Sequence, residues 1–105
     1  MEFAGKVAIV TGGGQGIGEG IALHLAQLGA DIAIADINME TAGAVVKRIQ
    51  DLGRRAIAVK TDVANFDDAK NMASRVISNL GGIDILVNNA GYVKPAQSWF
   101  IQEDV

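Results

Sequence analysis

Four short apolar runs alternate along this chain with three segments of helical periodicity, and that alternation restricts the fold more than any other feature. The runs cover residues 7–10, 32–35, 56–59 and 83–87. They are nearly continuous in apolar character rather than alternating in polarity, as expected of parallel strands covered on both faces. Strand, helix, strand repeated in this way is the signature of an α/β parallel sheet with helices as crossovers. Right-handed connections starting from a central first strand predict four strands in the order 3-2-1-4 with three helices, half of a doubly wound Rossmann fold.

The helical segments carry their own punctuation. The first is predicted from Gly16 to Gly29, with Ile17, Ile21, Leu25 and Leu28 as its apolar stripe and Gly29 as a left-handed stop. The single histidine, His24, falls on that helix and reads as partly buried at its boundary, without a chemical role. The second begins after Asn38 as N-cap and turns Ala42, Val45, Ile49 and Leu52 inward before Gly53. The third is capped by Asn65, has Asp67 and Asp68 at its positive end, and packs Ala69, Met72, Ala73, Val76 and Leu80 before Gly81 and Gly82.

Composition removes several classes of function. The chain has 105 residues, half of them hydrophobic, and no linker or repeat divides them, so one domain is expected. Net charge is −3 and the nine basic residues are scattered, which offers no footprint for nucleic acid. Lys47, Arg48, Arg54 and Arg55 read as solvated surface. With no cysteine and one histidine there is neither a disulfide framework nor a metal-ligand cluster. No apolar stretch approaches the roughly 18 residues of a membrane span, and the N-terminus has no signal-peptide pattern. The expectation is a soluble, cytoplasmic protein with no metal.

The chemistry lies in the segment from Thr11 to Gly18, between the first strand and the first helix. A pyrophosphate binds where backbone N–H groups and the positive end of a helix converge, and a Cβ at the approach positions would hold it away. Gly12 is expected to make the tight turn, Gly16 to allow close approach, and Gly18 to let helix pack on strand. The competing reading is a flexible glycine-rich turn. Asp36 ends the second strand at about the separation expected of an acid that holds ribose hydroxyls. Such a carboxylate accepts from a 2′-OH and repels a 2′-phosphate, and neither Gln15 nor Ile37 brings a compensating cation, so NAD is expected over NADP. A helix-capping aspartate is the alternative.

With these residues in hand, the sequence resembles the short-chain dehydrogenase/reductase family. Thr11, Gly12, Gly16, Ile17 and Gly18 match its glycine motif, Asn88-Asn89-Ala90-Gly91 matches its second hallmark, and Asp62-Val63 matches its adenine-contact pair. The resemblance implies that the Asp62 side chain and Val63 backbone contact adenine, that Asn88 braces the sheet, and that Ala90 and Gly91 pass the cofactor's ribose, with Asn89 also counted in the cofactor site. Gln15 and Ile37 complete the candidate cofactor set. A turn aspartate and a strand-ending turn are the plainer readings of Asp62 and of residues 89–91.

By the same resemblance the family's catalytic Ser, its Tyr-x-x-x-Lys pair and its supporting Asn fall past residue 105, so the chain reads as the dinucleotide-binding part of an oxidoreductase, inactive alone. Tyr92 is followed four places on by Ala96, and Lys94 and Ser98 match no catalytic motif. Two rival readings remain: a non-catalytic NAD-binding or self-assembling module, and an S-adenosylmethionine-binding domain. The spacing of the glycines and residues 88–91 weigh against the latter. A bare strand at residues 83–87 and a tail at 92–105 carrying Trp99 and Phe100 suggest a homo-oligomer.

Overall fold

The alternation folds into the sheet that its pattern dictates. In a computed structural model, which describes residues 1–89, β1 (Val7–Thr11), α1 (Gly16–Gln27), β2 (Asp31–Asp36), α2 (Met39–Asp51), β3 (Ala56–Lys60), α3 (Phe66–Leu80) and β4 (Ile85–Asn88) follow one another. The four strands are parallel and lie in the order β3-β2-β1-β4. The expectations for Ala90 and Gly91 and for the tail from Tyr92 to Val105 fall outside the described residues.

Strand alternation divides the core in two. On one face Ala8, Val10, Ile32 and Ile34 meet Ala22 and Ala26 of α1 and Ala42, Val45 and Ile49 of α2. On the other, Val7, Ile9, Ala33, Ala35 and Val59 meet Met72, Val76 and Leu80 of α3. Both helices after the two leftward crossovers therefore share one face, and the helix of the reversed crossover takes the other, as right-handed connections require. Asn38 and Asn65 cap α2 and α3: the Asn38 side-chain Oδ1 accepts from the N–H groups of Glu40 and Thr41, and the Asn65 side-chain Oδ1 accepts from Asp68 N–H.

Several expectations are corrected in detail. The buried face of α1 is Gly18, Ala22 and Ala26, not Ile17, Ile21, Leu25 and Leu28; Ile17 is 77% exposed. Small residues let the helix axis approach the sheet closely, which pushes the larger aliphatics at 21, 25 and 28 to the flanks and leaves Ile17 outside. His24 is exposed rather than partly buried, because it lies on the face opposite Ala22 and Ala26. Leu52 is exposed as well, since α2 ends at Asp51 and Leu52 is its C-cap. Continuous cover on both faces holds for β1 but not for β3 or β4, whose residues are partly open.

The basic residues are also less free than solvated surface would suggest. Arg54 Nε donates to the Ala26 carbonyl at the end of α1, and Arg55 reaches both the Asp31 carboxylate and the Leu80 carbonyl. Arg48 on α2 pairs with Glu19 on α1. β4 begins two residues later than expected. Asp84 uses its N–H to donate to the Val7 carbonyl and its carboxylate to accept from Val7 N–H, so Ile83 remains in the connection before the strand.

Candidate functional site

The C-terminal ends of all four strands converge on the loop between β1 and α1. Gly12 N–H donates to the Ala35 carbonyl at 2.7 Å, which pins the start of that loop to the neighbouring strand. Gly12 and Gly16 both have left-handed backbones, with φ 65° and 61°, conformations that cost a side-chain-bearing residue and cost glycine little. A Cβ on Gly16 would meet nothing within 4 Å, so its open side faces free space. A Cβ on Gly18 would stand 2.2 Å from the Gly12 carbonyl oxygen and 2.5 Å from Asn89 Nδ2. Only glycine fits there, and helix, loop and β4 meet at that point.

Unlike α2 and α3, α1 has no side-chain cap: Gln15 stands at its N-cap position without such a hydrogen bond. A helix start without a capping side chain keeps donor N–H groups and the positive end of its dipole available to an anion.

Asp36 closes β2 beside this loop. Its carboxylate accepts from Gly14 N–H at 3.0 Å and from Asn38 N–H at 3.1 Å. The helix cap is Asn38, so the capping alternative for Asp36 fails on geometry. Asp62 does form the turn of the plainer reading, accepting from Ala64 N–H at 3.0 Å, while also lining the space described next. Thr11, fully buried, ties β1 to the end of β4: its hydroxyl donates to Asn88 Oδ1 at 3.1 Å and accepts from Asn89 N–H at 2.9 Å.

These ends enclose an open cleft of about 550 Å³ lined by Gly12, Gln15, Gly16, Ala35, Asp36, Ile37, Thr61, Asp62, Val63, Ala64 and Asn89. Of the expected site residues, Gly12, Gln15, Gly16, Asp36, Ile37, Asp62, Val63 and Asn89 are thus brought together. Thr11 and Gly18 lie beneath the cleft as supports, and Ile17 is not among its lining residues. Ala35, Thr61 and Ala64 were not foreseen. The register that pairs Asp36 with Lys60 could have found Thr61, because it sets residue 61 beside the end of β2, where Thr61 N–H donates to the Asp36 carbonyl at 3.0 Å. No described lining residue carries a positive charge. Among the described residues no cluster of three or more potential metal ligands occurs, and no helix is long and apolar enough to cross a membrane.

A parallel sheet whose order reverses at β1, with a glycine loop and a cleft at that reversal, defines the class of Rossmann nucleotide-binding domains. The model of the short chain dehydrogenase family matches residues 6–104, and the chain belongs to that family. It is 47% identical over 91 residues to the 7alpha-hydroxysteroid dehydrogenase of Escherichia coli K12, covering 87% of this chain and 36% of that protein. Among solved structures it is similar to a short chain dehydrogenase from Burkholderia cenocepacia in complex with NADP, at 49% identity and TM-score 0.84 over 90% of this chain and 39% of that one. It is also similar to a carveol dehydrogenase from Mycobacterium avium in complex with NAD, at 34% identity and TM-score 0.82 over 86% of this chain and 37% of that one. The chain therefore spans little more than a third of the length of the relatives it matches.

Proposed function

We propose that this chain is the dinucleotide-binding part of an NAD(H)-dependent oxidoreductase that moves hydride between nicotinamide and an alcohol or carbonyl substrate. The cleft fits a dinucleotide: Gly16 leaves open space where a Cβ would intrude, and the start of α1 keeps its donors for phosphate. Gly12, Gln15, Gly16 and the Ile17 backbone N–H would hold the pyrophosphate end, Asp36 and Ile37 the adenosine ribose, Asp62 and Val63 the adenine, and Asn89 with Ala90 and Gly91 the second ribose. The bound dinucleotide supplies the hydride chemistry. Thr11, Gly18 and Asn88 act on the cofactor only by fixing the loops.

The preference for NAD(H) rests on one observation: the Asp36 carboxylate lines the cleft while none of the described lining residues is a cation. Lys60, its register partner on β3, is not among them. An uncompensated carboxylate accepts from a 2′-hydroxyl and repels a 2′-phosphate. The family's solved neighbours include both NAD and NADP complexes, so the choice is a property of this chain's own residues. Calorimetric titration of the chain with NADH and NADPH tests it. NADH should bind at least about tenfold more tightly, and Asp36→Ala should bring the two within about threefold, since a like-charge juxtaposition is costly. Equal affinities in the unaltered chain would remove Asp36 from the ribose site.

We also propose that the chain pairs with a second copy along β4. Among the described strands β4 has one hydrogen-bonded neighbour, β1, and none of its residues is fully buried. An apolar edge of this kind recruits pairing.

A further inference from the structure

We infer that Asn38 is a positioning residue for Asp36 and through it sets the discrimination between the two dinucleotides; the inference rests on the NAD(H) reading above. Asp36 is held at both carboxylate oxygens by backbone donors. Gly14 N–H donates to Oδ2 at 3.0 Å, and Asn38 N–H donates to Oδ1 at 3.1 Å. An ionised carboxylate has about four acceptor sites, so two remain for a ligand.

The Asn38 N–H aims at Asp36 because the rest of Asn38 is committed to α2. Its side-chain Oδ1 accepts from Glu40 N–H at 3.0 Å and Thr41 N–H at 3.1 Å. Its carbonyl accepts from the Thr41 hydroxyl at 3.2 Å and from Ala42 N–H at 3.1 Å. Four bonds fix one residue, in an extended conformation with φ −89° and ψ 100°, and its own N–H has one direction left to point.

The glycine loop is held to the same corner. A Cβ on Gly14 would stand 2.7 Å from Asp36 Oδ2, 2.8 Å from Thr41 Oγ1 and 3.0 Å from Ala42 N, so the loop rests directly on the first turn of α2. The carboxylate is thereby gripped between the loop and the turn, and the side chain of Asn38 closes the turn. Remove that side chain and the turn loosens at Asn38, the N–H at Oδ1 loses its aim, and the carboxylate is free to rotate. A rotating carboxylate attracts a 2′-hydroxyl less and repels a 2′-phosphate less, so the effect on the two cofactors has opposite sign. A general loss of stability would weaken both alike.

The test compares Asn38→Ala, Asn38→Ser and Ile49→Val with the unaltered chain by two measurements. Serine keeps an N-cap acceptor, and Ile49→Val lowers stability in the same helix, far from the cleft, through its buried side chain. The first measurement is the ratio of NADPH to NADH dissociation constants. The second is amide hydrogen exchange at Gly14 relative to Ile34, which needs no cofactor. Loss of an N-cap is worth a factor of about five, so Asn38→Ala should reduce the ratio about fivefold and speed Gly14 exchange about fivefold. Asn38→Ser and Ile49→Val should leave both near their starting values. A preference for NADH that Asn38→Ala leaves intact, or a Gly14 amide that does not respond, overturns the inference alone. Equal affinities in the unaltered chain overturn the NAD(H) reading and the inference with it.

Discussion

The two flanks of β1 differ although they are built from the same kind of strand. Toward β2 the ladder runs over five residue pairs, every residue of β1 is buried, and helices cover both faces. Toward β4 the ladder has four pairs, and no residue of β4 is fully buried. There an apolar groove of about 250 Å³ opens between β4 and α3, lined by Ile9, Phe66, Ala69, Lys70, Met72, Ala73, Ile83 and Leu86. The covered flank carries the glycine loop and Asp36; the open one carries aliphatic surface. The candidate cleft thus lies beside the tighter packing, and its remaining described element, Asn89, is borrowed from the looser flank through Thr11 and Gly18.

That junction is where the largest effect is expected. Gly18→Val would place side-chain carbons against the Gly12 carbonyl and Asn89 Nδ2, where even a Cβ stands at 2.2 and 2.5 Å. The closer contact, with the Gly12 carbonyl, is with backbone, which cannot rotate away. We expect a loss of about 3 kcal/mol or more, read as a collapse of the urea midpoint, because both flanks must separate to relieve the overlap. A variant with the original midpoint would show that the two flanks are not joined through this residue.

A pair of truncations sharpens the contrast between the flanks. Ile34 is fully buried in the covered core, whereas Leu86 is partly open and packs at the margin of the other. Ile34→Ala should cost about 3 kcal/mol and Leu86→Ala about 1, since the penalty follows the methylenes withdrawn from water and the cavity left behind. Equal costs by chemical denaturation would mean that β4 is as well packed as β2.

The same contrast marks what the sequence made legible. Continuous apolar runs and the handedness of crossovers are strong constraints, and they carried strand order, helix number and the faces on which α2 and α3 pack. The turn glycines were legible because few residue types tolerate their backbones or their close contacts, and the position of Asp36 because it follows from the end of β2. The face of α1 was not, since a stripe of Ile17, Ile21, Leu25 and Leu28 satisfies helical periodicity as well as Gly18, Ala22 and Ala26 do. What decides between them is how close the helix comes to the sheet, a tertiary distance that no periodicity encodes. Thr61 was missed for a related reason: a residue beside the site by strand register carries no mark of its own. The start of β4 was misjudged because Asp84, a polar residue within an apolar run, spends both its N–H and its carboxylate on Val7.

The smallest change expected is a factor of two in particle mass, and it bears on the open flank. Ile83 is 38% exposed and Phe66 55% exposed, on either side of the groove beside β4. Lys70 already stands there, its Nζ 5.5 Å from the centre of the Phe66 ring, so the rim holds one positive charge balanced against an aromatic face. In a two-fold dimer each residue meets its copy's surface twice, and a single substitution is felt at two places. Ile83→Lys would therefore add two cations next to two existing ones in the paired state, and only one next to one in the free chain. Because Ile83 belongs to neither core cluster, the substitution should leave the urea midpoint of the monomer nearly unchanged. Light scattering behind a sizing column, at tens of micromolar protein, should give a dimer for the unaltered chain and a monomer for Ile83→Lys, with high salt restoring part of the dimer as the added repulsion is screened. A monomer for the unaltered chain would end the proposal that β4 pairs between copies. A dimer that survives Ile83→Lys would move the interface away from this groove.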